Sequence, residues 1–96
     1  MEKNPQNPHL SLVIPVFNEE EVLPILAEEL YSVCNSLGRS FEIIFVDDGS
    51  YDKTAEILRQ FAEKDTRIKV LHFSRNFGHQ AAFSAGIDVA SGEYVI

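Results

Sequence analysis

Residues 41–50, Phe-Glu-Ile-Ile-Phe-Val-Asp-Asp-Gly-Ser, constrain this chain more than any other stretch. A run built mostly from aromatic and β-branched residues ends abruptly in two carboxylates, a glycine and a serine. The run reads as a buried strand, and Gly49 and Ser50 turn the chain toward a following helix. Asp47 and Asp48 then stand at the carboxyl edge of a sheet, where open α/β folds receive their ligands. The competing account is that both acids merely cap the next helix and favour its positive end. Adjacent strand side chains point to opposite faces, so the pair is expected to divide, one acid facing a ligand and the other capping or orienting.

The flanking sequence repeats the pattern. Residues 1–9 are polar with two prolines and read as a disordered leader before a single domain over residues 10–96. Leu10–Val16 is apolar enough for a central parallel strand, and Pro15, lacking an N–H, is expected to stop its pairing. Pro24 is tolerated only in a first helical turn, so a helix carrying Val22, Leu23, Leu26, Leu30, Val33 and Leu37 should begin near Glu20 or Glu21. Gly38 ends it. Ser50 or Asp52 should cap a second helix with Ala55, Leu58, Phe61 and Ala62 on its buried stripe. A strand over Ile68–Phe73, a polar loop, a small-residue helix over His79–Ala90 and a strand from Glu93 complete the series. The order β-α-β-α-β-α-β predicts a doubly wound, mostly parallel sheet. Right-handed crossovers give strand order 3-2-1-4, with the switch point between strands 1 and 4. Pro15–Glu19 line one side of that crevice. The other side belongs to whatever follows Ile96, so the chain reads as a domain cut within strand 4.

Charge narrows the partners. The net charge is −7, and residues 1–48 hold nine acids against Lys3 and Arg39. That front half is a poor match for nucleic acid or an anionic membrane. The lone Cys34 excludes an internal disulfide and reads as a small buried or half-buried side chain. No apolar run has the length of a membrane span and no signal peptide is evident, which predicts a cytoplasmic protein. Neither G-x-G-x-x-G nor G-x-x-x-x-G-K-[ST] occurs, so the dinucleotide fingerprint and the P-loop are both missing.

What remains is a pocket floored by acids. A carboxylate can accept from the ring N–H of uracil or guanine, or from ribose hydroxyls. Phe17 offers a face for a base, or is a core phenylalanine. Asn18 is a ligand or a helix cap. Arg75, just past the third strand, reaches a phosphate or serves as a surface ion-pair partner. His79 is an exposed polar residue at the start of a helix unless a ligand lies nearby. His9 and His72 lack metal-site spacing.

Three motifs carry a resemblance: Leu12 to Glu20 (LVIPVFNEE), Val46 to Ser50 (VDDGS) and Ser74 to Ala82 (SRNFGHQAA). In this order and spacing they resemble family 2 glycosyltransferases of the GT-A fold, especially the polyprenyl-phosphate branch that includes dolichyl-phosphate mannose synthase and bactoprenol glucosyltransferases. The resemblance implies that Pro15, Phe17 and Glu19 border the nucleoside and that Asp48 hydrogen-bonds the base. It also places Arg75 and His79 near the diphosphate and donor sugar, with Asn18, Asp47, Gly49 and Gly78 in support. Such enzymes pass a sugar from a UDP- or GDP-linked donor to a lipid phosphate with inversion, at the cytoplasmic face of a membrane. The acceptor is already an anion, so catalysis lies in positioning and in neutralising the leaving diphosphate with Mg²⁺ or Mn²⁺. The family's metal-binding acids should follow strand 4, so neither metal ligands nor catalytic residues are expected within this chain. Two other readings stand beside this one: a non-catalytic nucleotide-binding or interaction module, and an unrelated doubly wound domain. A strand edge left open would also favour self-association.

Overall fold

Short apolar strands alternating with amphipathic helices leave one economical arrangement, a parallel sheet covered on both faces. The computed structural model describes residues 8–96 and has that architecture. Its elements are β1 Leu10–Val16, α1 Leu23–Ser36, β2 Phe41–Asp47, α2 Thr54–Lys64, β3 Ile68–His72, α3 His79–Val89 and β4 Tyr94–Val95. All pairings are parallel and the strand order is β3-β2-β1-β4, as the sequence predicts. Residues 1–7 of the expected leader lie outside the described residues. His9 is tied in: its N–H donates to the Ser40 carbonyl at 3.1 Å, and its own carbonyl accepts from Tyr94 N–H at 3.0 Å.

Strand alternation sorts the core into two layers. Leu10, Val16, Phe41, Ile43, Phe45 and Ile68 pack with Leu23 and Cys34 of α1 and Leu58 of α2. Val13, Ile44 and Val46 face the other way and pack with Ala82 of α3. Every residue of β2 is therefore buried, Asp47 included. The small residues of α3 allow the close approach: a Cβ on Gly86 would lie 2.2 Å from Val13 Cγ1. Cys34 is buried, and burial raises its thiol pKa.

Several local expectations need correction. Pairing does not stop at Pro15, because the β1–β2 register continues through Pro15↔Val46 to Val16↔Asp47. In a parallel strand successive residues bond to opposite neighbours. Val16 accepts from Asp48 on the β2 side, whereas Ser11 and Val13 bond to Ile96 on the β4 side. Pro15, two residues past Val13, presents its missing N–H to the β4 side and costs the β1–β2 ladder nothing. Helix α1 begins at Leu23 rather than Glu20 or Glu21, since Val22 and Leu23 N–H first form a turn on the Glu19 carbonyl, at 3.1 and 3.0 Å. Val22, Val33 and Leu37 lie on its exposed flank. Neither Ser50 nor Asp52 occupies the cap position of α2: Lys53 does, without a side-chain bond, while Asp52 Oδ1 accepts Thr54 N–H at 2.8 Å from one residue further out and the Ser50 hydroxyl is engaged elsewhere.

The α3 face also holds a buried acid. Glu42 accepts from Ser11 Oγ at 2.6 Å, Ser91 N–H at 2.7 Å and Lys69 Nζ at 2.6 Å. Burial alone would raise its pKa, but Lys69, Ser11 and Ser91 outweigh it and hold the carboxyl at about 2. Ser11 Oγ in turn accepts Gly92 N–H at 2.8 Å, so one polar cluster ties β1, β2 and β3 to the turn before β4.

Candidate functional site

The carboxyl ends of β1 and β2 and the loop after β3 converge on a cavity of about 350 Å³. Pro15, Phe17, Glu19, Asp48 and His79, all singled out in the sequence, line it, and Gly78 does too. Phe17 is 37% exposed, which removes the core reading, and its ring meets Tyr51 edge-on with centroids 5.9 Å apart. Arg75 is not part of the lining. Its guanidinium sits over the Phe77 ring, 4.6 Å from the centroid.

The two adjacent acids divide as alternation requires. Asp47 turns to the β2–α2 turn and to β3: its Oδ1 accepts Ser50 N–H at 3.0 Å and its Oδ2 lies 3.2 Å from His72 Nδ1. Asp48 turns to the β3–α3 loop. Its carboxylate accepts Phe77 N–H at 2.7 Å, Gly78 N–H at 3.0 Å and Asn76 Nδ2 at 3.2 Å. A carboxylate offers roughly four acceptor positions, so about one remains for a ligand. Both acids are almost fully buried, at 3% and 4% exposure, and every buried polar side-chain atom among the described residues has a partner.

Glycines set how closely these loops meet. Gly49 has φ +77°, and a Cβ there would lie 2.2 Å from the Arg75 carbonyl carbon and 2.4 Å from Asn76 N. Only glycine lets the turn after β2 lie against the loop after β3. Gly78, at φ +102°, precedes the first turn of α3.

The β1–α1 loop is held by a second set of contacts. Asn18 has φ +52°, donates its N–H to Ser50 Oγ at 2.8 Å and accepts Tyr51 N–H on Oδ1 at 3.0 Å. Glu19 N–H donates to Thr54 Oγ1 at 2.9 Å. Asn18 is thus neither a cap of α1 nor part of the cavity lining. Sequence reasoning passes over Asn76 and Thr54 and offers Ser50 only as a turn residue or a cap of α2, because their roles are contacts between loops remote in sequence. The proximity of Ser50 and Thr54 to the acid pair was the one available signal.

A larger cavity, about 530 Å³, opens at the opposite end of the strands beside Arg39, Arg67 and Lys69. Arg67 is paired with Asp65 at 3.0 Å and Lys69 with Glu42, so two of its three cations are already neutralised. Among the described residues no three His, Cys, Asp or Glu side chains gather to hold a metal ion, and no helix is long and apolar enough to cross a membrane.

Comparison with known proteins places this geometry. The family described as Glycosyl transferase family 2 matches residues 11–96. The glycosyltransferase YkcC of Bacillus subtilis (strain 168) is 44% identical over 86 residues, covering 90% of this chain and 27% of that protein. The undecaprenyl-phosphate 4-deoxy-4-formamido-L-arabinose transferase of Pseudomonas paraeruginosa is 47% identical over 88 residues, covering 91% of this chain and 26% of that protein. The chain therefore spans about a quarter of the length of these relatives. Among solved structures, S. aureus TarS 1–349 superposes with TM-score 0.74 at 26% identity, over 91% of this chain and 26% of that one. The mannosyltransferase PcManGT of Pyrobaculum calidifontis, solved with GDP-Man and Mn²⁺, superposes with TM-score 0.69 at 22% identity, over 95% of this chain and 27% of that one. These neighbours are GT-A glycosyltransferases, and the fold is theirs. With the family match running from Ser11 to Ile96, this chain belongs to glycosyl transferase family 2.

Proposed function

We propose that this chain is the nucleotide-sugar-binding part of an inverting glycosyltransferase that passes a sugar from a nucleotide donor to a polyprenyl phosphate. The observation that carries the proposal is the cavity at the carboxyl ends of β1 and β2, where Pro15, Phe17, Glu19, Asp48 and His79 meet. The relatives that act on undecaprenyl phosphate, by name, support the acceptor class. In this reading the base lies against the Phe17 ring, and its N–H donates to the acceptor position left on Asp48. Arg75 and His79 lie toward the diphosphate, Arg75 by swinging off Phe77. Mg²⁺ or Mn²⁺ would be held by residues outside this chain and would neutralise the diphosphate. A lipid acceptor together with a nucleotide donor supports work at the cytoplasmic face of a membrane. Self-association through the outer edge of β4, where Tyr94 and Val95 are 58% and 41% exposed, belongs to the same proposal.

The test is a panel of UDP, GDP, ADP and CDP titrated against the chain by calorimetry, with and without Mg²⁺ or Mn²⁺. Binding of UDP or GDP on the order of millimolar, about 4 kcal/mol, with ADP and CDP weaker, is the expected result. A chain that binds all four equally, or none, refutes base recognition by this cavity. Sedimentation of the same sample across a concentration series checks the edge.

A further inference from the structure

We propose that Asn18, Ser50 and Thr54 are positioning residues which clasp the β1–α1 loop to the β2–α2 loop and thereby set the Phe17 and Glu19 wall of the cavity. The inference rests on the nucleotide reading above. Asn18 and Glu19, consecutive along one loop, are matched by side chains and backbone 32 to 35 positions later in sequence. The match is reciprocal at Asn18, whose N–H donates to Ser50 Oγ while its own Oδ1 accepts Tyr51 N–H. The clasp continues the β1–β2 ladder beyond its last backbone bond, Asp48 N–H to the Val16 carbonyl at 2.9 Å. Side chains take over there because the two loops have left extended geometry.

Two features separate this arrangement from ordinary loop contacts. Asn18 occupies the left-handed region, which non-glycine residues rarely adopt, and asparagine tolerates it best when its short side chain finds a local partner. It lies between Phe17 and Glu19, both of which line the cavity. Thr54 is fully buried at the first turn of α2, yet its hydroxyl accepts from Glu19 on the other loop. The β2–α2 segment also begins at Asp48, which lines the same cavity. Clasping the loops therefore fixes the separation of Asp48 from Phe17 and Glu19.

The experiment compares four variants of the chain. Asn18→Gly keeps the backbone conformation and removes the acceptor, whereas Asn18→Asp keeps both. Thr54→Val keeps the shape and removes the hydroxyl, whereas Thr54→Ser restores it. Amide hydrogen exchange reads the clasp directly: Asn18→Gly should speed exchange at Tyr51, and Thr54→Val at Glu19, each about tenfold for one lost bond. UDP and GDP titration reads the positioning, with Kd rising about tenfold in Asn18→Gly and Thr54→Val and staying near the parent in Asn18→Asp and Thr54→Ser. A merely stabilising tie lowers Tm and speeds exchange while leaving Kd unmoved, and that result overturns the proposal. A parent chain that binds neither nucleotide overturns the site reading and the positioning role together, whereas parent-like binding by both Asn18→Gly and Thr54→Val overturns the positioning role alone. Should one variant fail to fold, the other, on the opposite loop, decides.

Discussion

Replacing Asp48 with alanine should be felt first in the loop after β3. The carboxylate accepts Phe77 N–H at 2.7 Å, Gly78 N–H at 3.0 Å and Asn76 Nδ2 at 3.2 Å, and a methyl group in its place would leave all three without that acceptor. A hydrogen bond to a charged group contributes about 1.5–3 kcal/mol in mutational series. Asn76 and Phe77 are exposed, so water can replace the carboxylate and the lower part of that range applies. Counting chiefly the two backbone bonds, the loss is about 2–4 kcal/mol, a large share of the ~5–15 kcal/mol available to a small domain. Urea unfolding should show a lowered midpoint, and hydrogen exchange should accelerate most at Phe77 and Gly78. UDP or GDP affinity should fall as well, because Gly78 and His79 line the cavity. Asp47→Ala supplies the contrast: it loses one backbone bond to Ser50 and the contact with His72, so stability should fall by about 1–3 kcal/mol with little change in nucleotide affinity. A parent-like midpoint and parent-like exchange at residues 77 and 78 in Asp48→Ala would refute the argument. Weaker nucleotide binding by Asp47→Ala than by Asp48→Ala would show the two acids assigned the wrong way round.

Glu42 provides a pH test. Its carboxyl is held at about 2 against an ordinary 4.5, so its contribution is complete above pH 4.5 and is lost as pH falls toward 2, amounting to about 3 kcal/mol. The stability gap between the parent and Glu42→Gln should therefore narrow across that window, and a constant gap would count against it; the difference cancels Asp65, which titrates low beside Arg67 in both. Gly49→Ala should cost more than the ~1–2 kcal/mol of a left-handed alanine, because its Cβ also meets the Arg75 backbone. Gly38→Ala, at φ +65° with nothing within 4 Å, should show the conformational cost alone, and equal losses at the two positions would discount the close approach. Arg75→Ala should weaken UDP or GDP far more than the bare nucleoside, and equal losses would remove Arg75 from the diphosphate.

The architecture was legible because the signals were local and redundant. The Phe41–Asp47 run and the small residues of α3 each specify an element without help from distant residues. Topology followed from the handedness of parallel crossovers. The division of Asp47 from Asp48 was legible too, since it needs only strand alternation. What stayed hidden depended on partners remote in sequence. Ser50 has the side chain of a helix cap and becomes a cross-loop acceptor because Asn18 arrives beside it. Glu42 sits within an apolar run as an apparent anomaly, and only the fold brings Ser11, Lys69 and Ser91 to it. Arg75 lies where expected along the chain, but its resting contact with Phe77 follows from side-chain packing that no spacing rule describes.

Pro15 has a consequence for the outer edge of β1 where that strand meets the cavity. On its outer side β1 can donate only through residues that face β4, and Val13, bonded to the Ile96 carbonyl at 2.9 Å, is the last of them before the imide nitrogen of Pro15. The pyrrolidine nitrogen cannot donate, so a carbonyl laid beside Pro15 on that side finds no partner. Pro15 also lines the cavity, so at that wall the strand edge is blunted by covalent chemistry rather than by packing. Repacking elsewhere can move the wall without restoring the missing donor.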